Sequence, residues 1–118
     1  MSVESRFAAP ALASLKDCAL DDPRLPTPLF VIDSQKLEKN LRRAQDRAAK
    51  LGVAVRPHLK THKSIGIALR QMTTPQGPAT VSTLAEARYF GARGVTDLIY
   101  AVGIAPQKLA EVSRLRSL

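Results

Sequence analysis

Val55-Arg56-Pro57-His58-Leu59-Lys60-Thr61-His62-Lys63 is the stretch on which the reading of this chain turns. With Val53 and Ala54 in front of it, the run to Lys60 reads as a β-strand. Strand side chains alternate between two faces, so Arg56, His58 and Lys60 share one side while Val55, Pro57 and Leu59 take the other. Three ionisable groups on one face of a buried parallel strand are costly unless they line a polar site. The competing reading is an exposed basic edge strand with solvated charges, and spacing alone does not choose between the two.

Outward from this stretch, strand and helix signals alternate. On the amino side, Leu29-Phe30-Val31-Ile32 is a short, partly β-branched run that reads as a strand ending at Asp33. Ser34 follows as a helix cap, and Leu37, Leu41, Ala44, Ala48 and Leu51 recur at helical spacing up to the turn glycine Gly52. On the carboxyl side, Ser64 opens a second helix with Ile65, Ala68, Leu69 and Met72 on one side, and residues 73–78 read as a plain loop. Ala79-Thr80-Val81 is a brief strand. Thr83 and Glu86 have capping-box spacing ahead of a third helix that Gly91 and Gly94 close. Leu98-Ile99-Tyr100 is another strand, and Pro106 starts a last helix carrying Leu109, Val112 and Leu115. Such alternation predicts an α/β fold with parallel strands and helical crossovers, as in barrels or doubly wound sheets.

The 118 residues suit one domain, and with aromatic residues at 4% the core is expected to be aliphatic. Residues 1–26, rich in proline, read as leader and linker, and residues 27–118 as the domain. The apolar run Phe7–Leu15 is interrupted by Pro10 and Ser14, and Glu4 spoils the basic flank of a secretory signal. No run of apolar residues is long enough for a membrane span, so a cytoplasmic protein with no membrane partner is expected. Cys18 is the sole cysteine and reads as an incidental thiol. A net charge of +8 raises the possibility of a basic nucleic-acid binder. The cations Lys36, Lys39, Arg42, Arg43, Arg47 and Lys50 crowd one helix, diluted by Glu38 and Asp46, with no aromatic residues interleaved to stack on bases. That pattern is a solvated helix face, and no nucleic-acid partner is expected.

In a barrel, the carboxyl ends of strands point into the active-site mouth, and Lys60 stands at such an end. A desolvated amine with Arg56 and His58 as cationic neighbours loses basicity and becomes a nucleophile toward a carbonyl. His58 and His62 are four apart, but Pro57 opposes a helix there and Leu59 stands where a zinc-protease pattern has glutamate, so no metal residue is assigned.

Arg56-Pro57-His58-Leu59-Lys60-Thr61-His62-Lys63 resembles the motif around the Schiff-base lysine of the D-threonine aldolase and D-serine dehydratase family, members of the alanine racemase-like pyridoxal-phosphate group. Thr27-Pro28-Leu29-Phe30-Val31-Ile32-Asp33 resembles the family's opening strand, and Leu37 through Leu41 its first helix. Thr80 through Ala87, with Gly91-Ala92-Arg93-Gly94, is similar to the second barrel strand and its helix, and Leu98-Ile99-Tyr100 to the third strand. The likeness runs from about Pro26 to the end of the chain; the lysine motif is its specific part.

The resemblance implies a partial (β/α)8 TIM barrel, the first three βα units preceded by a strand and helix. It implies pyridoxal 5'-phosphate as cofactor, Lys60 as the cofactor lysine and later the base at the substrate α-carbon. His58 and Arg56 would be cofactor-pocket residues that set its electrostatics. Thr83 would stand near the cofactor, with a plain helix cap as its other reading. A D-β-hydroxy amino acid is the implied small-molecule substrate, cleaved by an aldolase to glycine and an aldehyde or deaminated by a D-serine dehydratase to pyruvate and ammonia. The aldolase type is the assignment preferred here. The family's divalent metal is held by a His-x-Asp or His-x-Cys pair that these 118 residues do not contain. A full-length parent would be a homodimer, and a chain of this length, with too few units to close a barrel, is expected to be a fragment inactive alone. A non-catalytic pyridoxal-phosphate homeostasis protein and a basic nucleic-acid binder are the competing classes.

Overall fold

The computed structural model of the chain describes residue 15 and residues 17–117. The apolar run from Phe7 and most of the leader expected over residues 1–26 lie outside them. The chain divides into two compact units, Met1–Ser34 and Gln35–Leu118.

Among the described residues of the first unit, short turns dominate. Asp22 accepts bonds from Arg24 through its backbone and guanidinium, and this pairing draws the Asp22 carboxyl down to about 2. The strand expected at Leu29–Ile32 is not formed: these residues join no ladder, and Phe30 is 97% exposed. A strand is defined by a hydrogen-bonded neighbour, and an apolar run supplies only one half of that pair.

Helix α1 (Ser34–Leu51), in the second unit from Gln35 onward, carries the predicted stripe and ends at Gly52, whose φ of +62° is the left-handed turn the sequence suggested. Ser34 is its first helical residue. None of its side chains is buried; Leu37, Leu41 and Ala48 are half-buried. Polar ties join it to α2 (Ile65–Gln71): Arg70 pairs with Glu38, and Gln45 Nε2 donates to the Arg70 carbonyl at 3.3 Å. Helix α2 starts at Ser64, which accepts from Ile67 N–H, and buries Ile67 and Ala68 while Leu69 faces water. Of the predicted inward side, Ile65, Ala68 and Met72 pack on the core, and Ile67 is buried in place of Leu69.

Strand β1 (Ala79–Val81) runs parallel to β2 (Leu98–Tyr100), with Ala79 opposite Leu98, Thr80 opposite Ile99 and Val81 opposite Tyr100. Helix α3 (Leu84–Gly91) is the crossover between them. A turn of 3-10 helix, Pro106–Lys108, leads into α4 (Leu109–Arg116), which the Arg88–Glu111 ion pair ties to α3. Residues 73–78 are a tight turn rather than a plain loop. Thr74 and Gly77 exchange backbone bonds of 3.0 and 3.1 Å, and Gly77 packs against Asp97.

The strand expected over Val53–Lys60 is reduced to one parallel bridge, His58 to Thr80. Leu59 N–H donates to the Thr80 carbonyl at 2.9 Å, and Thr80 N–H donates to the Pro57 carbonyl at 2.8 Å. Pro57 has no N–H with which to extend the ladder backward. Forward, the chain bends at once, because Lys63 N–H returns to the Leu59 carbonyl at 3.0 Å. The result is an α/β fold in which β1 is flanked by β2 on one edge and by residues 57–59 on the other.

Leu59, Ala68, Met72, Ala79, Val81, Phe90 and Val95 form the core, with Ile65, Ala87, Tyr89 and Leu98 packed against it. The core is aliphatic, as expected from composition, except for Met72 and one aromatic residue, Phe90. Phe90 is fully buried and meets the Tyr89 ring edge-on at 5.0 Å, adding directional contact to a large buried area. Among the described residues, no helix is long and apolar enough to cross a membrane.

Candidate active site

Leu59 is the pivot of the lysine segment. Its side chain is 0% exposed and its N–H is bonded to β1, so the neighbouring Lys60 is presented to solvent from an anchored backbone. Lys60 opens a turn at the carboxyl-terminal end of the parallel strands. The same end carries His58, whose Nε2 lies 3.2 Å from Ser82 Oγ just past β1. Lys60 N–H points to His58 Nδ1 at 3.4 Å. His58 and Lys60 are thus brought together.

Arg56 is held at the opposite end. Its guanidinium bonds Asp97 twice, at 2.7 and 3.1 Å, and donates to the Ala79 carbonyl at 3.2 Å and the Asp97 carbonyl at 3.1 Å. These acceptors lie at the starts of β1 and β2. The bond from Arg56 holds the Asp97 carboxyl below the usual carboxylate range. The expected cationic neighbour of Lys60 is therefore a neutralised clamp on the amino-terminal side of the sheet. Sequence spacing placed it on one strand face with Lys60 but carried no sign of Asp97, 41 residues away.

Thr83 caps α3, its Oγ1 accepting Glu86 N–H at 3.0 Å. The reciprocal half of the expected capping box is displaced by one residue, since the Glu86 carboxylate takes Ser82 N–H at 2.9 Å instead of Thr83 N–H. Glu86 is buried, and its other oxygen is 3.6 Å from Lys63 Nζ. Neither Ser82 nor Glu86 was assigned to the site from sequence. The Glu86 spacing was visible as a cap, but its burial depended on α3 packing over β1.

His62 does not join His58 as a ligand pair: its Nε2 is bonded to Gln71 Oε1 at 2.9 Å and its Nδ1 accepts Ser64 N–H at 3.0 Å. Among the described residues, no group of three or more His, Cys, Asp or Glu side chains is arranged to hold a metal ion. The donor set that is present suits a carbonyl cofactor: an exposed primary amine on a pinned backbone, whose own N–H meets an imidazole that in turn reaches a hydroxyl.

No family model matches the chain. Individual proteins do. The D-threo-3-hydroxyaspartate dehydratase of Delftia sp. (strain HT23) is 45% identical over 92 residues, which is 78% of this chain and 24% of that protein. Its solved structure superposes with a TM-score of 0.72 at 44% identity over 79% of this chain and 24% of that one. The D-threonine aldolase of an Arthrobacter species is 39% identical over 93 residues, 78% of this chain and 24% of the relative. An alanine racemase-like protein of Idiomarina loihiensis superposes with a TM-score of 0.67 at 47% identity, over 70% of this chain and 22% of its own. The fold and these likenesses define a segment of alanine racemase-like α/β architecture. Within that class, the chain is a homologue of the enzymes named D-threo-3-hydroxyaspartate dehydratase, D-serine dehydratase and D-threonine aldolase. It spans about a quarter of the length of the curated relatives it matches.

Proposed function

We propose that this chain is the cofactor-lysine segment of a pyridoxal-phosphate-dependent lyase acting on D-amino acids that carry a β-hydroxyl, and that it forms the opening βα units of a (β/α)8 barrel. The observation that carries the reading is Lys60: exposed, next to the fully buried Leu59, and on the carboxyl-terminal side of the parallel strands beside His58.

When bound, pyridoxal phosphate supplies an electron sink for charge developing at the substrate α-carbon. Lys60 would hold the cofactor through its amine and, once released from it, exchange a proton at that carbon. His58 would sit beside the amine with one ring nitrogen toward Ser82 and the other toward the Lys60 backbone. Thr83, proposed as a cofactor-pocket residue, serves in this reading through the first turn of α3, and Arg56 serves as a clamp on Asp97 at the opposite end of the strands.

Aldol cleavage of the D-threonine type is the activity read from overall likeness. Dehydration is supported equally, because the Delftia relative is a dehydratase at 45% identity and the Arthrobacter relative an aldolase at 39%. Product analysis separates the two: glycine with an aldehyde for cleavage, an α-keto acid with ammonia for dehydration. The test of the shared core is borohydride reduction of the chain with pyridoxal phosphate, followed by peptide mass mapping. Label on Lys60 is the expected outcome, and label confined to Lys63 or the α1 lysines overturns the proposal.

A further inference from the structure

Both imidazoles of this chain are wired alike. His58 Nδ1 receives the N–H of Lys60 at 3.4 Å, and His62 Nδ1 receives that of Ser64 at 3.0 Å. A ring nitrogen that accepts bears no proton, so each neutral ring carries its proton on Nε2. His58 Nε2 then donates to Ser82 Oγ at 3.2 Å, and His62 Nε2 donates to Gln71 Oε1 at 2.9 Å. Each ring therefore spans from the backbone of the turn over residues 60–64 to a side-chain oxygen on another element. Ser82 is itself anchored, because its N–H donates to the buried Glu86 carboxylate. The turn needs such ties: Lys63 lies at φ +50°, a conformation unfavourable for a residue with a Cβ.

We propose that Ser82 and Gln71 are positioning residues for Lys60. By setting His58 and His62 as Nε2–H tautomers they leave two Nδ1 acceptors that hold both ends of the lysine turn, with Glu86 anchoring Ser82. The inference rests on the cofactor reading only for the importance it gives to Lys60.

The test is a long-range proton–nitrogen correlation on the full chain labelled with nitrogen-15, in which two histidines give two ring patterns. At about pH 8, where free imidazole is neutral, both rings are expected to be protonated on Nε2. Ser82→Ala should shift the His58 pattern alone and speed exchange of the Lys60 amide roughly tenfold relative to the amides of α3. Ser82→Thr should restore both, and Gln71→Leu should act in the same way on His62 and the Ser64 amide. A wild-type ring protonated on Nδ1, or a Lys60 amide unmoved by Ser82→Ala, overturns the proposal. Should Ser82→Ala not fold, the wild-type ring pattern still decides. Absence of cofactor label on Lys60 would strike the proposed function and leave these ring and amide readings untouched.

Discussion

Arg56 and Asp97 meet through two parallel bonds across 41 residues of chain, and the same guanidinium takes in the carbonyls of Ala79 and Asp97. One planar cation thereby gathers the starts of three neighbouring segments. Lysine, with a single point charge, has no such fork. Arg56→Lys should accordingly lower the melting temperature nearly as much as Arg56→Ala, measured by circular dichroism on the two variants side by side.

The same pair makes stability depend on acid. The Asp97 carboxyl is held below its ordinary value in the folded chain by the bond from Arg56. Its contribution is complete above the unfolded carboxylate value of about 3.9 and is lost as pH falls through the lower folded value. Asp97→Asn should flatten that part of the acid limb in a Tm-against-pH series. An unchanged acid limb would show that the ion pair does not contribute.

Leu59 and Lys60 are adjacent and should behave oppositely. Leu59→Ala empties a fully buried site and should cost about 2–5 kcal/mol in urea denaturation. Lys60→Ala alters an exposed side chain and should stay within about 0.5 kcal/mol of wild type. It should nonetheless abolish borohydride-trapped cofactor.

Gly77 is the most crowded of the glycines. Its φ is +134°, and a Cβ there would lie 2.8 Å from the Asp97 carbonyl oxygen. Gly77→Ala should destabilise the chain by about 1–3 kcal/mol and slacken the Arg56 clamp at the same time. The second effect should show as a raised Asp97 titration in carboxyl-carbon spectra.

Thr83 separates capping from cofactor contact. Thr83→Ala should cost about 1 kcal/mol through loss of the bond to Glu86 N–H, and Thr83→Ser should recover most of it. Equal cofactor trapping by all three proteins would assign Thr83 to the helix alone.

Four helices and two strands were legible from local patterns. Ser64 and Thr83 announce α2 and α3 because a cap bonds to amides three residues away, and Gly52 ends α1 because its turn demands a positive φ. The lysine could be picked out from its motif, but as a desolvated amine, whereas Lys60 stands exposed because only its neighbour Leu59 turns into the core. What residue order left open was everything that needs a distant partner. Leu29–Ile32 and Val53–Lys60 read as strands just as Ala79–Val81 does, yet the first joins no ladder and the second makes one bridge. Arg56 leaves Lys60 for Asp97, and Glu86 becomes a buried anchor for Ser82, through contacts that arise when β1, β2 and α3 pack. Helix signals act within a few residues along one chain, whereas ladders, ion pairs and burial arise between segments, and their partners are chosen as those segments come together in three dimensions.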